Sequence, residues 1–250
     1  MGINTEFFVR TFFITLKAIP VTLNITVVSF LLAVLPAFAI AFARLKKIKA
    51  IAYPGTVYVS IMRGTPMVLQ ILVMYSLLPS FLNMIFTKLN LNIKVFDVNP
   101  IVYAYVVFTL NTIATMSEVF RSALQTVNKG QHEAALSIGL SSFQSYRRIV
   151  IPQALVSAVP NLCTLTVTLI KNTSLAFMMA VKDITAVAKI EASFGYNYVE
   201  AYLDVFVVYI IVCSVVQLLF HFIEKQLRNS TTGGQKKRLF AHIMVLFARG

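Results

Sequence analysis

Long apolar runs alternate with short polar segments along the chain. A membrane-spanning helix needs about 20 predominantly apolar residues, and the sequence contains five runs of that length, at 19–43, 53–78, 101–124, 149–170 and 201–223. The second run is interrupted by RGTP at 63–66, where we expect glycine and proline to bend the helix. The pattern predicts an all-α integral membrane protein with five transmembrane helices.

The composition agrees with a membrane protein that crosses the bilayer several times. Hydrophobic residues make up 58% of the chain and charged residues 12%, whereas about a quarter of a soluble domain is charged. The net charge of +13 comes mainly from basic residues that flank the apolar runs, a distribution typical of membrane topology and of contact with lipid headgroups. Because the sequence shows no basic groove studded with aromatic residues, we expect no nucleic-acid partner. Residues 1–20 contain no small-residue cleavage site, so we expect mature sequence rather than a signal peptide.

Lysine and arginine are unevenly distributed between the two sets of loops. Basic clusters follow the first run at 44–49, lie between the third and fourth runs at 121–148, and follow the fifth run at 225–238. Because positively charged loops favour the cytoplasm, we predict an external N-terminus and a cytoplasmic C-terminus. Residues 1–228 are predicted to form the transmembrane domain. Residues 229–250 are predicted to form a cytoplasmic tail, either flexible or an interfacial helix.

Polar residues recur at helical spacing inside three of the apolar runs. Positions i, i+3 and i+4 share one face of a helix, and the three stripes are Asn111, Thr115, Glu118 and Ser122; Asn161, Thr164, Thr168 and Lys171; and Arg63, Met67, Gln70 and Met74. Such residues either line a polar cavity near the middle of the membrane or form hydrogen bonds between helices.

Ionisable residues inside the runs favour a transport pathway. A charge near the bilayer centre costs at least about 2.5 kcal/mol, so Glu118 and Lys171 are expected to serve function. The alternative for Glu118 is a structural ion pair with Arg121, three residues further along the helix. Arg63 either lines the cavity or anchors the chain near the RGTP turn.

Signatures of catalytic and metal sites are missing from the sequence. It contains no P-loop, no G-x-S-x-G and no H-E-x-x-H. Cys163 and Cys213 lie inside apolar runs, and the three histidines are scattered, so we expect no metal site. We therefore expect no enzymatic activity in this chain, and the energy for active transport must come from a partner or an ion gradient.

The segment GQHEAALSIGLSSFQSYRRIVIPQAL at 130–155 is polar and helix-prone, although it lies between two apolar runs. Glu133 falls in the first turn of a short predicted helix, where the helix dipole favours a carboxylate. Ala134, Ala135 and Gly139 are small, so another surface can approach closely. These features favour a docking helix over a plain solvated loop.

From Glu133 onward, this segment resembles the EAA loop of permeases in binding-protein-dependent ABC importers, closing on Ile-Pro-Gln at 151–153. Three further stretches resemble the polar amino acid subfamily of these permeases: SIMRGTPMVLQ at 60–70, SEVFRSALQTVNKGQ at 117–131 and LIKNTSLAF at 169–177. The resemblance covers roughly residues 11–228. It implies a type I ABC importer permease fold, in which the cytoplasmic coupling residues are Glu133, Ala134, Ala135 and Gly139.

The same resemblance implies a multi-component machine in the bacterial cytoplasmic membrane. Two copies of an ATP-binding cassette ATPase subunit bind ATP and Mg, while this chain carries no cofactor. Their closing rocks two permease halves between inward- and outward-facing states. An extracellular binding protein delivers an amino acid. Five spans do not easily enclose a pathway, so a second permease chain, identical or homologous, is expected. The alternatives are a secondary transporter without an ATPase and a membrane scaffold.

The resemblance also places substrate contacts on the second to fourth runs. The expected residues are Arg63, Met67, Gln70, Ser117, Glu118, Arg121, Lys171, Asn172 and Thr173. Many family members read KDTSL where this chain reads KNTSL at 171–175, and the missing carboxylate weakens the case for a cationic substrate side chain. The stretch at 173–192 resembles cystine-type permeases.

We therefore expect a polar amino acid as the substrate, with cystine favoured. Glutamine and a basic amino acid such as arginine or histidine are the alternatives. We expect Glu118 or a neighbour to pair with the substrate amine. We expect Lys171 or Arg63 to pair with its carboxylate.

Overall fold

A computed structural model describes residues 4–91 and 94–247, with side chains described up to residue 228. Within these ranges the chain is helical and has no β-strand. The helices are α1 (Thr5–Leu16), α2 (Ile19–Leu45), α3 (Lys49–Gly64), α4 (Met67–Lys88), α5 (Pro100–Thr126), α6 (Lys129–Ser137), α7 (Ser142–Ser145), α8 (Ile151–Asn172), α9 (Ile184–Ser193) and α10 (Tyr198–Phe247). A π-helical turn, Tyr146–Val150, leads into α8, and two 3₁₀ turns lie at Val95–Asp97 and Thr173–Met179.

Within the described part of the chain, five helical segments are long and apolar enough to cross a membrane, which confirms the predicted all-α fold with five spans. They are Thr5–Leu45, Met67–Lys88, Pro100–Thr126, Ser142–Met179 and Tyr198–Arg228. The predicted tail at 229–250 begins inside α10, whose backbone is helical to Phe247. Its side chains and residues 248–250 lie outside the described part, so the division into domain and tail stays a prediction.

The predicted bounds of the second span, 53–78, are wrong. The chain does not bend at RGTP but leaves the helix, because Thr65 and Pro66 are extended, with ψ of 143° and 136°. Proline lacks an N–H group and pushes the residue before it out of the helical region. The spanning segment is therefore α4, and α3 is a separate helix.

The first span begins earlier than the sequence pattern predicts. α1 starts after Asn4, whose side chain caps the helix by accepting a hydrogen bond from the Phe7 N–H at 3.0 Å. α1 packs against α9 and α10, and we call these three helices the outer bundle. The N–H of Asn4 also donates to Glu200 Oε1 at 2.9 Å, which joins the starts of α1 and α10.

α5 lies at the centre of the fold, between α2, α8 and α3. The α2 face that meets it carries small residues, and Ala33, Ala37 and Ala41 are completely buried. Small residues allow two helices to approach closely where no hydrophobic effect drives them together. This close α2–α5 contact leaves the opposite face of α5 turned toward α8, and the polar stripe lies on that side.

A short helical element lies between α8 and α10. A 3₁₀ turn follows α8 and ends at Ala180, which has the left-handed φ of 58°. α9 then starts at Asp183, whose carboxylate accepts from the N–H groups of Thr185 at 3.1 Å and Ala186 at 2.9 Å. α9 closes one end of the helix bundle, and α6 lies at the other.

Candidate functional site

A polar cavity of about 380 Å³ opens between α5 and α8, with one contribution from the end of α3. Its size lies in the range of small-molecule sites. It is lined by Arg63, Asn111, Thr112, Thr115, Glu118, Val119, Ser122, Asn161, Thr164, Leu165, Thr168, Leu169 and Asn172. The whole predicted stripe of α5 and most of that of α8 therefore face one cavity.

The threonine hydroxyls of the cavity form hydrogen bonds within their own helices. Thr115 donates to the carbonyl of Asn111 at 3.1 Å, Thr164 to that of Pro160 at 3.2 Å, and Thr168 to that of Thr164 at 2.8 Å. These residues do not act as hydrogen-bonding bridges between helices here. Each hydroxyl oxygen keeps acceptor capacity that faces the cavity.

Glu118 connects two arginines at one side of the cavity. Its Oε2 accepts from Arg121 Nη2 at 2.7 Å and from Arg121 Nε at 3.0 Å. Its Oε1 accepts from Nη1 of Arg44, at the end of α2. The pair with Arg121 is the one that the sequence offered as an alternative, whereas the pair with Arg44 was not predicted.

The three charged side chains are only partly shielded from solvent. Arg44, Glu118 and Arg121 keep 16%, 17% and 32% of their side-chain exposure. Both carboxylate oxygens of Glu118 accept hydrogen bonds from guanidinium groups, so the three side chains together carry one net positive charge. The predicted contact between Glu118 and a substrate amine therefore requires one arginine to move away.

Arg63 brings a further positive charge to the cavity. It lies in the last turn of α3 and is exposed. The break after it is fixed by Gln70, whose Nε2 donates to the carbonyls of Met62 at 2.7 Å and Thr65 at 3.0 Å. Gln70 Oε1 accepts from Asn111 Nδ2 at 2.9 Å, which ties the break to α5. Gln70 therefore positions the Arg63 end of α3 and does not itself line the cavity.

The remaining predicted substrate residues lie away from the cavity lining. Ser117 and Thr173 are completely buried and donate to the carbonyls of Ala114 and Ile170, both within one turn. Met67 packs against an apolar cluster around Ile71 and Phe108.

Lys171 is exposed outside the cavity lining, and its neighbour Asn172 lies in it. The structure thus brings Arg63, Glu118 and Asn172 together, with Arg121 held against Glu118. The hydroxyl and amide groups of α8 complete the lining.

The predicted coupling residues lie on α6 and just after it. Asn128 caps the helix by accepting from the Gly130 N–H at 2.8 Å. Glu133 and Ala134 are exposed, while Ala135 is buried within the chain. Gly139 follows the helix with a φ of +85°, a conformation that favours glycine.

The segment that holds the predicted coupling residues is tied to α7 and to the π-helical turn that leads into α8. His132 Nδ1 and Ser145 Oγ lie 2.8 Å apart, and the His132 and Tyr146 rings are 4.9 Å apart. Around Glu133, the large apolar side chains of Leu136, Ile138 and Phe143 are 43%, 77% and 72% exposed. A displacement of α6 can therefore pass to α8, which carries half of the polar cavity.

Comparison with known proteins gives the family of the chain. The family described as the binding-protein-dependent transport system inner membrane component matches residues 36–229. The probable amino-acid permease protein YxeN of Bacillus subtilis is 33% identical over 221 residues, covering 87% of this chain and 94% of the relative. The L-cystine transport system permease protein TcyL of the same organism is 33% identical over 214 residues, covering 86% and 87%. The glutamate/aspartate import permease protein GltK of Escherichia coli is 29% identical over 211 residues, covering 84% and 92%.

A solved structure shows the same fold. It is described as an amino acid ABC transporter with histidines, and it matches 90% of this chain and 100% of its own with a TM-score of 0.75 at 24% identity. The predicted type I ABC importer permease fold is thereby confirmed. With a family match over most of its length and relatives at 33% identity, the chain belongs to the family of inner membrane components of binding-protein-dependent transport systems.

Proposed function

We propose that this chain is the permease subunit of an ATP-driven importer that translocates a polar amino acid, with cystine favoured. The observation that carries the proposal is the α5–α8 cavity together with the exposed α6 element on the same helical framework. Relatives named for cystine and for glutamate/aspartate transport support an amino acid but leave its side chain open. Glutamine and basic amino acids are the alternatives.

The charges of the cavity favour recognition of a carboxylate. Arg63 is the cationic side chain of the lining that has no carboxylate partner among the described residues, since Glu118 is engaged by Arg44 and Arg121. A guanidinium binds a carboxylate through two parallel hydrogen bonds. We therefore assign the substrate carboxylate to Arg63 rather than to Lys171. The substrate amine donates hydrogen bonds to the oxygens of the α8 stripe, or to Glu118 after one arginine moves away.

The substrate assignment is tested by uptake into proteoliposomes that hold this chain, its ATPase and its binding protein. Labelled cystine, glutamine and arginine compete. We expect ATP-dependent cystine uptake that arginine does not block. Uptake dominated by arginine contradicts the cystine assignment. Uptake without ATP dependence in assembled complexes favours a secondary transporter instead.

The role of Arg63 is tested in the same assay with Arg63→Gln. We expect at least a tenfold rise in KM, because a charge-assisted pair to the substrate is lost. Lys171→Gln is the matched control, since it removes one charge that lies outside the cavity lining. An equal or larger effect in the Lys171 variant contradicts the assignment.

We infer that the working assembly contains two ATPase subunits, a second permease chain and an extracellular binding protein. The ATPases bind ATP and Mg, and this chain supplies no nucleotide site. The basic clusters support placing α6 and the C-terminus in the cytoplasm and the N-terminus and α9 outside. In this orientation α6 meets the ATPases and α9 faces the binding protein.

Coupling through α6 is tested by Glu133→Arg. We expect loss of substrate-stimulated ATP hydrolysis with unchanged membrane insertion, because the charge that docks on the ATPase is reversed. Glu6→Arg is the control, since Glu6 is an exposed acid in the first turn of α1, at the other end of the bundle. Unchanged stimulation in the Glu133 variant contradicts the coupling role, and loss in both variants points to a general effect of charge.

A further inference from the structure

A second polar cavity lies at the α6 end of the bundle, outside the α5–α8 cavity. Its volume is about 650 Å³. It is formed where α2 ends, α3 begins and α5 approaches its last turns. We call it the basic pocket, and its polar lining consists of Arg44, Lys47, Lys49, Tyr53, Thr56 and Arg121.

The basic pocket carries a surplus of positive charge. Four cationic side chains line it, and none of its lining residues is acidic. Glu118, which lines the neighbouring cavity, forms ion pairs with two of the four cations, Arg44 and Arg121. The four cations and this one carboxylate together carry a net charge of +3. Lys47 and Lys49 are exposed, and neither has an acidic partner among the described residues. Such a concentration of like charges in one concavity favours an anionic ligand with several acceptor oxygens.

We propose that the basic pocket binds the phosphate group of an anionic glycerophospholipid. It sits at the ends of two membrane-spanning helices, at the level where a headgroup lies. Basic pockets between transmembrane helices bind anionic lipid headgroups in this position. Guanidinium groups suit the phosphate oxygens, and lysines add point charges.

The flank of the pocket favours a lipid over a free phosphate ion. Val57 and Ile61 follow Tyr53 at i+4 and i+8 along one ridge of α3 beside the pocket, and they are 43% and 57% exposed. Tyr53 is 76% exposed at the rim, and tyrosine is enriched where membranes meet water. An acyl chain can lie along α3 while the phosphate occupies the pocket, whereas a free ion gains nothing from the apolar flank.

The test measures lipid binding to the purified full-length chain in its native complex, after removal of bound lipid. Short-chain phosphatidylglycerol is titrated by native mass spectrometry, with phosphatidylcholine of equal chain length as the neutral probe. We expect one saturable phosphatidylglycerol site per permease chain. Equal binding of phosphatidylcholine overturns the proposal. Competition by inorganic phosphate or glycerol phosphate at the affinity of the lipid assigns the site to free phosphate and overturns the lipid source.

The pocket is located with the double variant Lys47→Gln/Lys49→Gln, which leaves Arg44 and Arg121 in place. We expect the affinity for phosphatidylglycerol to fall about tenfold or more, since each lysine near an anionic surface contributes measurably. The matched control is Lys88→Gln/Lys94→Gln, which removes the same charge at the α9 end. Unchanged binding in the pocket variant, or an equal loss in the control, overturns the proposal. If the double variant does not assemble, Lys47→Gln alone is measured, and an unchanged affinity again overturns it.

Discussion

The α5–α8 cavity and the outer bundle of α1, α9 and α10 hold their carboxyl groups in different ways. In the cavity, Glu118 keeps 17% exposure and is matched by two guanidinium groups. In the outer bundle, Asp183 and Asp204 are completely buried, and no cation pairs with either among the described residues. Asp183 is satisfied by two backbone N–H groups and by the Tyr209 hydroxyl at 3.3 Å.

The difference shows which carboxyl is available to change partners. Asp183 caps the start of α9, and its bonds are fixed by the backbone geometry of an N-cap. Glu118 depends on two long side chains, Arg121 from its own helix and Arg44 from α2, and the Arg44 pair can separate when α2 shifts along α5. The proposed passage of a charged solute through this cavity needs the second arrangement. In the outer bundle, the buried Asp183 uses the first, which suits a rigid support.

Removal of the Glu118 charge should have the largest effect. We expect Glu118→Gln to lower the free energy of unfolding by about 3 kcal/mol, because two partly buried guanidinium groups then repel each other without a counter-charge. Chemical unfolding in detergent measures this. The matched control is Glu191→Gln, which breaks a 2.8 Å pair with Arg10. Arg10 is 66% exposed, so we expect the control to lose less than about 1 kcal/mol. Equal losses in both variants contradict the difference drawn between the two regions.

Much of the cavity could be predicted because helical periodicity is a local property. Asn111, Thr115, Glu118 and Ser122 share a face in any regular helix, and the structure places all four in the lining. The prediction for the fourth run was less accurate at its C-terminal end. Lys171 lies three residues after Thr168, at the edge of the stripe, whereas Asn172 lies four residues after it and closer to the centre.

Contacts between distant helices could not be predicted in the same way. Arg44 follows the first apolar run, and the sequence pattern predicted only its place in a cytoplasmic basic cluster. Its pair with Glu118 depends on how far α2 slides along α5, which is set by the packing of Ala33, Ala37 and Ala41. α1 was missed because its polar positions, among them Arg10, interrupt the apolar pattern. The RGTP break was located correctly, but its consequence depends on contacts that Gln70 makes after folding.

The pH dependence of the free energy of unfolding should distinguish Asp183 from the paired Glu118. Burial raises the pKa of the Asp183 carboxyl to about 6, although its hydrogen bonds favour the charged form. The folded protein therefore binds this proton more tightly than the unfolded chain, whose carboxyl has a pKa of about 4. The resulting stability is fully present below about pH 4 and is lost as the pH rises through about 6, a change on the order of 2 kcal/mol.

Unfolding measured between pH 4 and pH 6.5 tests this assignment. We expect the free energy of unfolding to fall less steeply with rising pH in Asp183→Asn than in the unmodified protein. Asparagine keeps a capping oxygen but does not titrate. Asp97→Asn is the control, since Asp97 is exposed in a 3₁₀ turn outside the spans. A slope that survives in the Asp183 variant assigns the pH dependence to another group.

The smallest expected effect concerns Asp204, which lies on α10 with neither carboxylate oxygen hydrogen-bonded to any described residue. An unpaired carboxyl in this position costs free energy whether it is charged or must hold a proton at neutral pH. Asparagine has nearly the same shape and no charge, so we expect Asp204→Asn to raise stability by about 1 kcal/mol at pH 7.5. Asp97→Asn should change stability by less than about 0.5 kcal/mol, since surface substitutions rarely do more. If Asp204→Asn instead destabilises the protein, the carboxylate has a partner in the assembled transporter, and the outer bundle then holds its charge as the cavity does.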